Sequence, residues 1–187
     1  MSPQQIKEIQ TKIGVEADGF WGPISTRACE DYLRQFMPKP NPWPKTDQAS
    51  LTAFYGKPGD ESKRTRIDVT GLGVKYDGKT VNSITCHEKV GPSLQRIIRR
   101  LHENGFDAIL AKYAGVYNNR PMRGGSTPSL HARAAAIDLW PEKNGNNQHW
   151  PTSALMPLEV MEIFSGEGWL SAGAFWSRDA MHFQATQ

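Results

Sequence analysis

From Pro38 to Pro44 every second residue is proline, in the run Pro-Lys-Pro-Asn-Pro-Trp-Pro-Lys-Thr that ends at Thr46. Nothing else in the chain constrains the fold as much. Proline fixes φ and lacks a backbone donor, so neither a helix nor a central strand can run through this stretch. Alternating prolines favour an extended, semi-rigid spacer. The 187 residues therefore read as a short all-α module over residues 1–37, a proline-rich linker over 38–50 and a larger domain over 51–187.

The module reads as two helices around a glycine turn. Ile6, Ile9, Gln10 and Ile13 recur at helical spacing, and Gly14 ends the pattern. Asp18-Gly19-Phe20-Trp21-Gly22-Pro23 comes next, rich in turn formers. A second periodic stretch runs from Ser25, a candidate N-cap, through Ala28, Tyr32, Leu33 and Phe36. A piece this small lies below the roughly 40 residues usually needed for independent stability, so it is expected to lean on the larger domain.

The larger domain mixes two periods. Residues 69–74 and 81–85 read as strands, with Asp77-Gly78 as a turn between them. Residues 90–102 form the clearest helix, with Leu94, Ile97, Ile98 and Leu101 in one apolar stripe. Residues 134–140 read as a strand, 158–164 as a helix and 180–184 as a closing strand. Without a regular βαβ alternation this predicts an α+β fold, a small mixed or antiparallel sheet with flanking helices.

Composition narrows the functional classes. A hydrophobic fraction of 38% with 22% charged residues excludes a disordered chain. No apolar run approaches 18 residues, so no membrane insertion is expected. The first residues, Met-Ser-Pro-Gln-Gln-Ile-Lys-Glu, lack the pattern of a signal peptide, which predicts synthesis in the cytoplasm. Cys29 and Cys86 then read as free thiols. The net charge of +3 is mild, and the basic residues are dispersed apart from Lys63-Arg64-Thr65-Arg66 and a solvated helix face from Arg96 to Arg100. No nucleic-acid partner is expected, and the chain is read as a monomer.

Two of the five histidines keep unusual company. Asp138 lies in Ala-Ala-Ile-Asp-Leu-Trp, an otherwise apolar strand, seven residues after His131. A buried carboxylate must find a cation, a set of donors or a metal; Arg120, Arg123 and Arg133 are the candidate cations. His182 sits between Met181 and Phe183 in another apolar strand, three residues after Asp179. Two polar groups in buried strands can face one another. Seven residues of helix would hold His131 and Asp138 about 10 Å apart, too far to share a metal. A loop feeding a strand, eased by Ala132 and Ala134 to Ala136, brings them together. His87 reads as structural, His102 as a helix-closing cation and His149 as a loop residue.

Ser129-x-His131-x-x-Ala134-x-Ala136-x-Asp138 followed by Asp179-x-x-His182 resembles the VanY-type zinc peptidases of peptidoglycan. These are the D-Ala-D-Ala carboxypeptidases and L-alanyl-D-glutamate endopeptidases, with the signature S-x-H-x-x-G-x-A-x-D then [DE]-x-x-H. The resemblance covers roughly residues 51–187, and Ala134 departs from it where the family commonly has glycine. It implies Zn2+ held by His131, Asp138 and His182, with Asp179 as general base towards the metal-bound water. Arg120, with Arg123 as second choice, is implied to hold a substrate carboxylate or the developing oxyanion. Ser129 and Trp176 are further substrate-binding candidates. The first helices, through Ile9-Gln10-x-x-Ile13-Gly14 and Asp18-Gly19-x-x-Gly22-Pro23-x-x-Thr26, are similar to half of the common peptidoglycan-binding helical domain. Together the two resemblances imply a phage-type endolysin that cuts stem peptides, with the L-Ala–D-Glu bond favoured, and acts on the wall after release. A D-Ala-D-Ala carboxypeptidase on the same site and an inactive wall-binding or virion protein are the alternatives.

Overall fold

The computed structural model describes residues 1–122 and 124–187. Two helices open the chain, α1 (Pro3–Lys12) and α2 (Pro23–Arg34). A capping box of Ser2 and Gln5 starts α1 and lays Ile6, Ile9 and Ile13 on its inner face. Gln10, fully buried, ties the following turn together: its Nε2 donates to Asp18 Oδ1 and to the Phe20 carbonyl, and its Oε1 accepts from Gly19 N–H. Helix α2 begins at Gly22 with Pro23 in its first turn, where a fixed φ and a missing donor cost nothing. Ser25 is therefore inside the helix and not its N-cap, and its buried hydroxyl accepts from Gln10.

These helices share one hydrophobic core with the rest of the chain, through Ile9, Ile13, Cys29 and Leu33. The Met1 ammonium donates to the Pro151 carbonyl at 2.8 Å, and Trp21 meets Trp150 edge-on. The proline-rich stretch lies against the body. Trp43 is buried, donates to the Glu167 carbonyl at 2.7 Å and packs edge-on against Trp169.

Helix α3 (Gln48–Tyr55), capped by Asp47, leads to strand β1 (Arg64–Asp68). Strands β2 (Lys75–Tyr76) and β3 (Lys79–Thr80) form a hairpin, and β4 (Ser83–His87) pairs antiparallel with β1. The turn at Asp77-Gly78 has positive φ at both residues, the geometry that matches strand twist in a two-residue hairpin. Residues 69–74, expected as a strand, instead form a loop pinned by buried Val69 and Val74. Gly71 and Gly73 take φ of +77° and +73°, outside the extended region that regular strand pairing requires. The strand lies one step earlier, in the basic run from Arg64.

Helix α4 (Gly91–Glu103) buries Leu94, Ile97, Ile98 and Leu101, as its periodicity requires. After α5 (Asp107–Leu110), strand β5 (Tyr113–Gly115) joins β6 (Ala136–Leu139), and α6 (Pro141–Asn144) and α7 (Leu158–Ser165) come after them. Then come β7 (Leu170–Ser171), α8 (Ala172–Phe175) and β8 (His182–Gln184). The main sheet has the antiparallel order β5-β6-β8-β7. The architecture is α+β, and among the described residues no helix is long and apolar enough to cross a membrane.

Candidate metal centre

Strands β6 and β8 pair so that Asp138 lies opposite His182. Cross-strand partners in an antiparallel pair share a face and lie within about 5.5 Å. Register alone therefore brings the two together. His131 arrives from a single 3₁₀ turn, Leu130–Arg133, just before β6. Ser129 caps that turn, its Oγ accepting from His131 N–H, and Ala134 ends it in the left-handed region at φ 53°. The chain there reverses within a few residues, and the loop-to-strand arrangement replaces the separation a helix would impose.

The result is a small triangle of donor atoms. His131 Nε2 is 3.2 Å from Asp138 Oδ1 and 3.0 Å from His182 Nδ1, and the last two are 3.0 Å apart. The remaining ring nitrogens are committed elsewhere. His131 Nδ1 lies 2.7 Å from the Val116 carbonyl and His182 Nε2 lies 3.1 Å from Gln184 Oε1. The Gln184 amide is oriented by donating to Thr186 Oγ1. With its proton on the outer nitrogen, each neutral imidazole turns a lone pair inward.

In that form three inward-facing acceptors at these distances repel one another unless a cation lies among them. Burial alone would raise the Asp138 carboxyl, but the adjoining imidazoles of His131 and His182, once protonated on their inward nitrogens, override it and hold the group well below the usual carboxylate range. Burial would lower His182, yet the Asp138 hydrogen bond and charge, with Asp179 and Gln184, push it above its ordinary value. A proton is one cation the triangle accepts. A divalent metal is the other, since tetrahedral zinc with bonds of about 2.0–2.1 Å spaces its ligands roughly 3.3 Å apart. Donor chemistry, spacing and outer hydrogen bonds all fit such an ion, and these three residues could hold one.

The triangle opens on a cleft of about 560 Å³. Asp179, Arg120, Ser129 and Trp176 all line it. Asp179 sits at φ 58° in a bend whose carbonyl accepts from His182 N–H at 2.8 Å, so it is tied to the ligand strand. Trp176 remains largely exposed, with its ring 6.4 Å from that of His182. Arg123 lies outside the described residues. Arg133, a candidate partner for Asp138 by sequence, points away: it donates to the Gly56 carbonyl, Gln48 and Thr52. His102 pairs with Asp107 at 2.6 Å, and His149 Nδ1 lies 3.2 Å from the Ser177 carbonyl. Gln184 does not stand out in the sequence, although its place two residues after His182 puts both on one face of a strand. The Val116 carbonyl carries no sequence signal.

Against known proteins, no curated relative and no solved structure matches the chain. Residues 123–185 match the family model described as D-alanyl-D-alanine carboxypeptidase. The matched span contains the whole donor triangle and Asp179, and it supports the reading of this chain as a peptidase that acts on peptidoglycan.

Proposed function

We propose that the protein is a zinc-dependent peptidase that hydrolyses peptidoglycan stem peptides, with the L-Ala–D-Glu bond as its target, in a phage-type endolysin. The observation that carries the reading is the triangle of His131, Asp138 and His182, with an oxygen acceptor beside the outer nitrogen of each imidazole. When bound there, zinc supplies a Lewis acid that polarises a carbonyl and lowers the pKa of water. Asp179, tied to the ligand strand yet lining the cleft, takes the proton of the attacking water and passes it to the departing amine. Arg120, also on the cleft wall, offers a fixed positive charge to the oxygen that becomes negative. Trp176 gives the peptide an apolar flank beside His182. In the same reading the first 37 residues contact the wall. Support comes from Phe20, in the turn between α1 and α2, and Ile24, in the first turn of α2, which stay 80% and 78% exposed. A tethered catalytic site meets its substrate at raised local concentration.

The description of the matched family favours a second reading, removal of a terminal D-Ala by the same site. Mass spectrometry of purified peptidoglycan digested with and without chelator, then with zinc restored, separates the two. New D-Glu amino termini that vanish with chelator and return with zinc are the expected result. Release of single D-Ala selects the carboxypeptidase. A product pattern indifferent to chelator defeats both.

A further inference from the structure

A second groove of about 480 Å³ shares Arg120, His131 and Asp138 with the cleft. The rest of its lining has no residue in common with the cleft and runs out to Arg64, Tyr76 and Tyr117. An extended peptide crossing the donor triangle therefore has room on both flanks. The groove is electropositive: two guanidinium groups line it, and its only acidic lining residue among those described is Asp138, already committed to His131 and His182.

Arg64 is built for a ligand more than for solvent. It opens β1, its side chain is only 15% exposed, and its guanidinium carbon lies 3.7 Å from the centre of the Tyr117 ring. Its Nε is shielded from water without a hydrogen-bond partner among the described residues, and its Nη2 pairs with Glu61, an exposed side chain on the preceding turn. Stacking on an aromatic face fixes the guanidinium plane, which favours fork-like recognition of a carboxylate. Glu61 already shows what the position accepts.

We propose that this groove is an acid-recognising subsite in which Arg64 receives the free carboxylate of a residue flanking the scissile bond, replacing Glu61. In a stem peptide that group is the α-carboxylate of γ-linked D-Glu. The proposal rests on the peptidase reading and adds to it a specificity-determining residue.

The test compares two muropeptides identical except that D-Glu carries its α-carboxylate in one and a carboxamide in the other, with zinc-loaded wild type, Arg64→Gln and Arg64→Lys. Wild type is expected to prefer the acid by about tenfold or more in kcat/KM, mainly through KM, as the loss of a charge-assisted contact implies. Arg64→Gln brings the ratio near one while still cleaving the amide. Arg64→Lys keeps part of the preference, since it retains charge but not the fork. Equal cleavage of both peptides by wild type removes the subsite and leaves the peptidase standing. A ratio unchanged in Arg64→Gln, with both rates depressed alike, also removes it and makes Arg64 a packing residue. If wild type cleaves neither peptide, the peptidase reading fails first and the subsite falls with it.

Discussion

His87 and His131 make a natural pair for comparison. They are 2% and 4% exposed, and each has one ring nitrogen close to a backbone carbonyl, that of Tyr55 at 3.0 Å and that of Val116 at 2.7 Å. The difference lies in the second nitrogen. His87 Nδ1 accepts from Lys89 N–H at 3.1 Å, so every polar atom of the ring is satisfied and the site is closed. His131 Nε2 instead meets two further acceptors, Asp138 and His182. Burial with complete hydrogen bonding yields a structural residue, and burial with converging lone pairs yields a place for a cation. Neither burial nor residue type distinguishes the two; only the partner of the last nitrogen does.

Removing each ring is the strongest way to break the comparison. His131→Ala or His182→Ala is expected to abolish zinc retention and to lower stem-peptide hydrolysis at least about a thousand-fold, because a Lewis acid supplies several kcal/mol of transition-state stabilisation. Metal analysis of the dialysed protein and a rate assay check both. His87→Ala is expected to do the reverse. It should cost about 2–4 kcal/mol of stability through a cavity and an orphaned Lys89 N–H, while the folded fraction keeps its metal. A His87 variant that loses zinc at native temperature would erase the distinction.

Asp179→Asn sharpens it on the catalytic side. The substitution leaves the donor triangle intact but removes the proton acceptor, so zinc content should hold while kcat falls by roughly 10²- to 10⁴-fold. Parallel loss of metal and rate would instead assign Asp179 to the ligand set.

Acid also separates the two histidines. Burial lowers His87 from its ordinary 6.5, so below that pH the unfolded chain binds a proton that the native ring refuses. Its contribution to stability is present above about 6.5 and is lost as pH falls towards the lowered native value. In the metal-free triangle His182 shifts the other way, and a metal must displace the proton it holds. Zinc affinity is therefore expected to weaken as the solution is acidified, with protons released on binding. Denaturation midpoints of wild type and His87→Gln from pH 7.5 to 5 check the first effect, since the variant should lose part of the acid slope. Zinc titration over the same range checks the second.

Much of the site is legible in the residues, and the omissions share a cause. A carboxylate at Asp138 and an imidazole at His182 inside apolar runs are conspicuous, and strand pairing makes them meet. The apolar stripe of α4 follows from its period alone. By contrast, residues 69–74 look like a strand because valines bound them, and only the left-handed Gly71 and Gly73 reveal a loop. Ser25 resembles an N-cap in isolation, but Pro23 has already started the helix. In each case a local preference is overridden by backbone geometry a residue or two away. Val116 cannot be read at all, because it acts through a carbonyl that every residue possesses.

The smallest expected effect belongs to the residue that joins the two histidines. The Ala134 carbonyl accepts from His87 N–H at 2.8 Å, and Ala134 N–H donates to the His131 carbonyl at 3.0 Å. Ala134 is fully buried and sits in the left-handed region, which glycine enters without strain. That conformation costs a non-glycine residue about 1–2 kcal/mol. Ala134→Gly relieves it, but glycine gains entropy in the unfolded chain worth about 0.4–1 kcal/mol and leaves a methyl-sized gap. The opposing effects nearly cancel, so stability should stay within about 1 kcal/mol of wild type, with zinc content and rate unchanged. Ala134→Val adds a β-branched side chain where neither φ nor space permits one, and it should disturb both histidines together. Thermal unfolding with metal analysis of the two variants gives the answer. If Ala134→Gly loses zinc while His87 and the core stay ordered, the alanine methyl, and not the turn geometry, holds His131 in place.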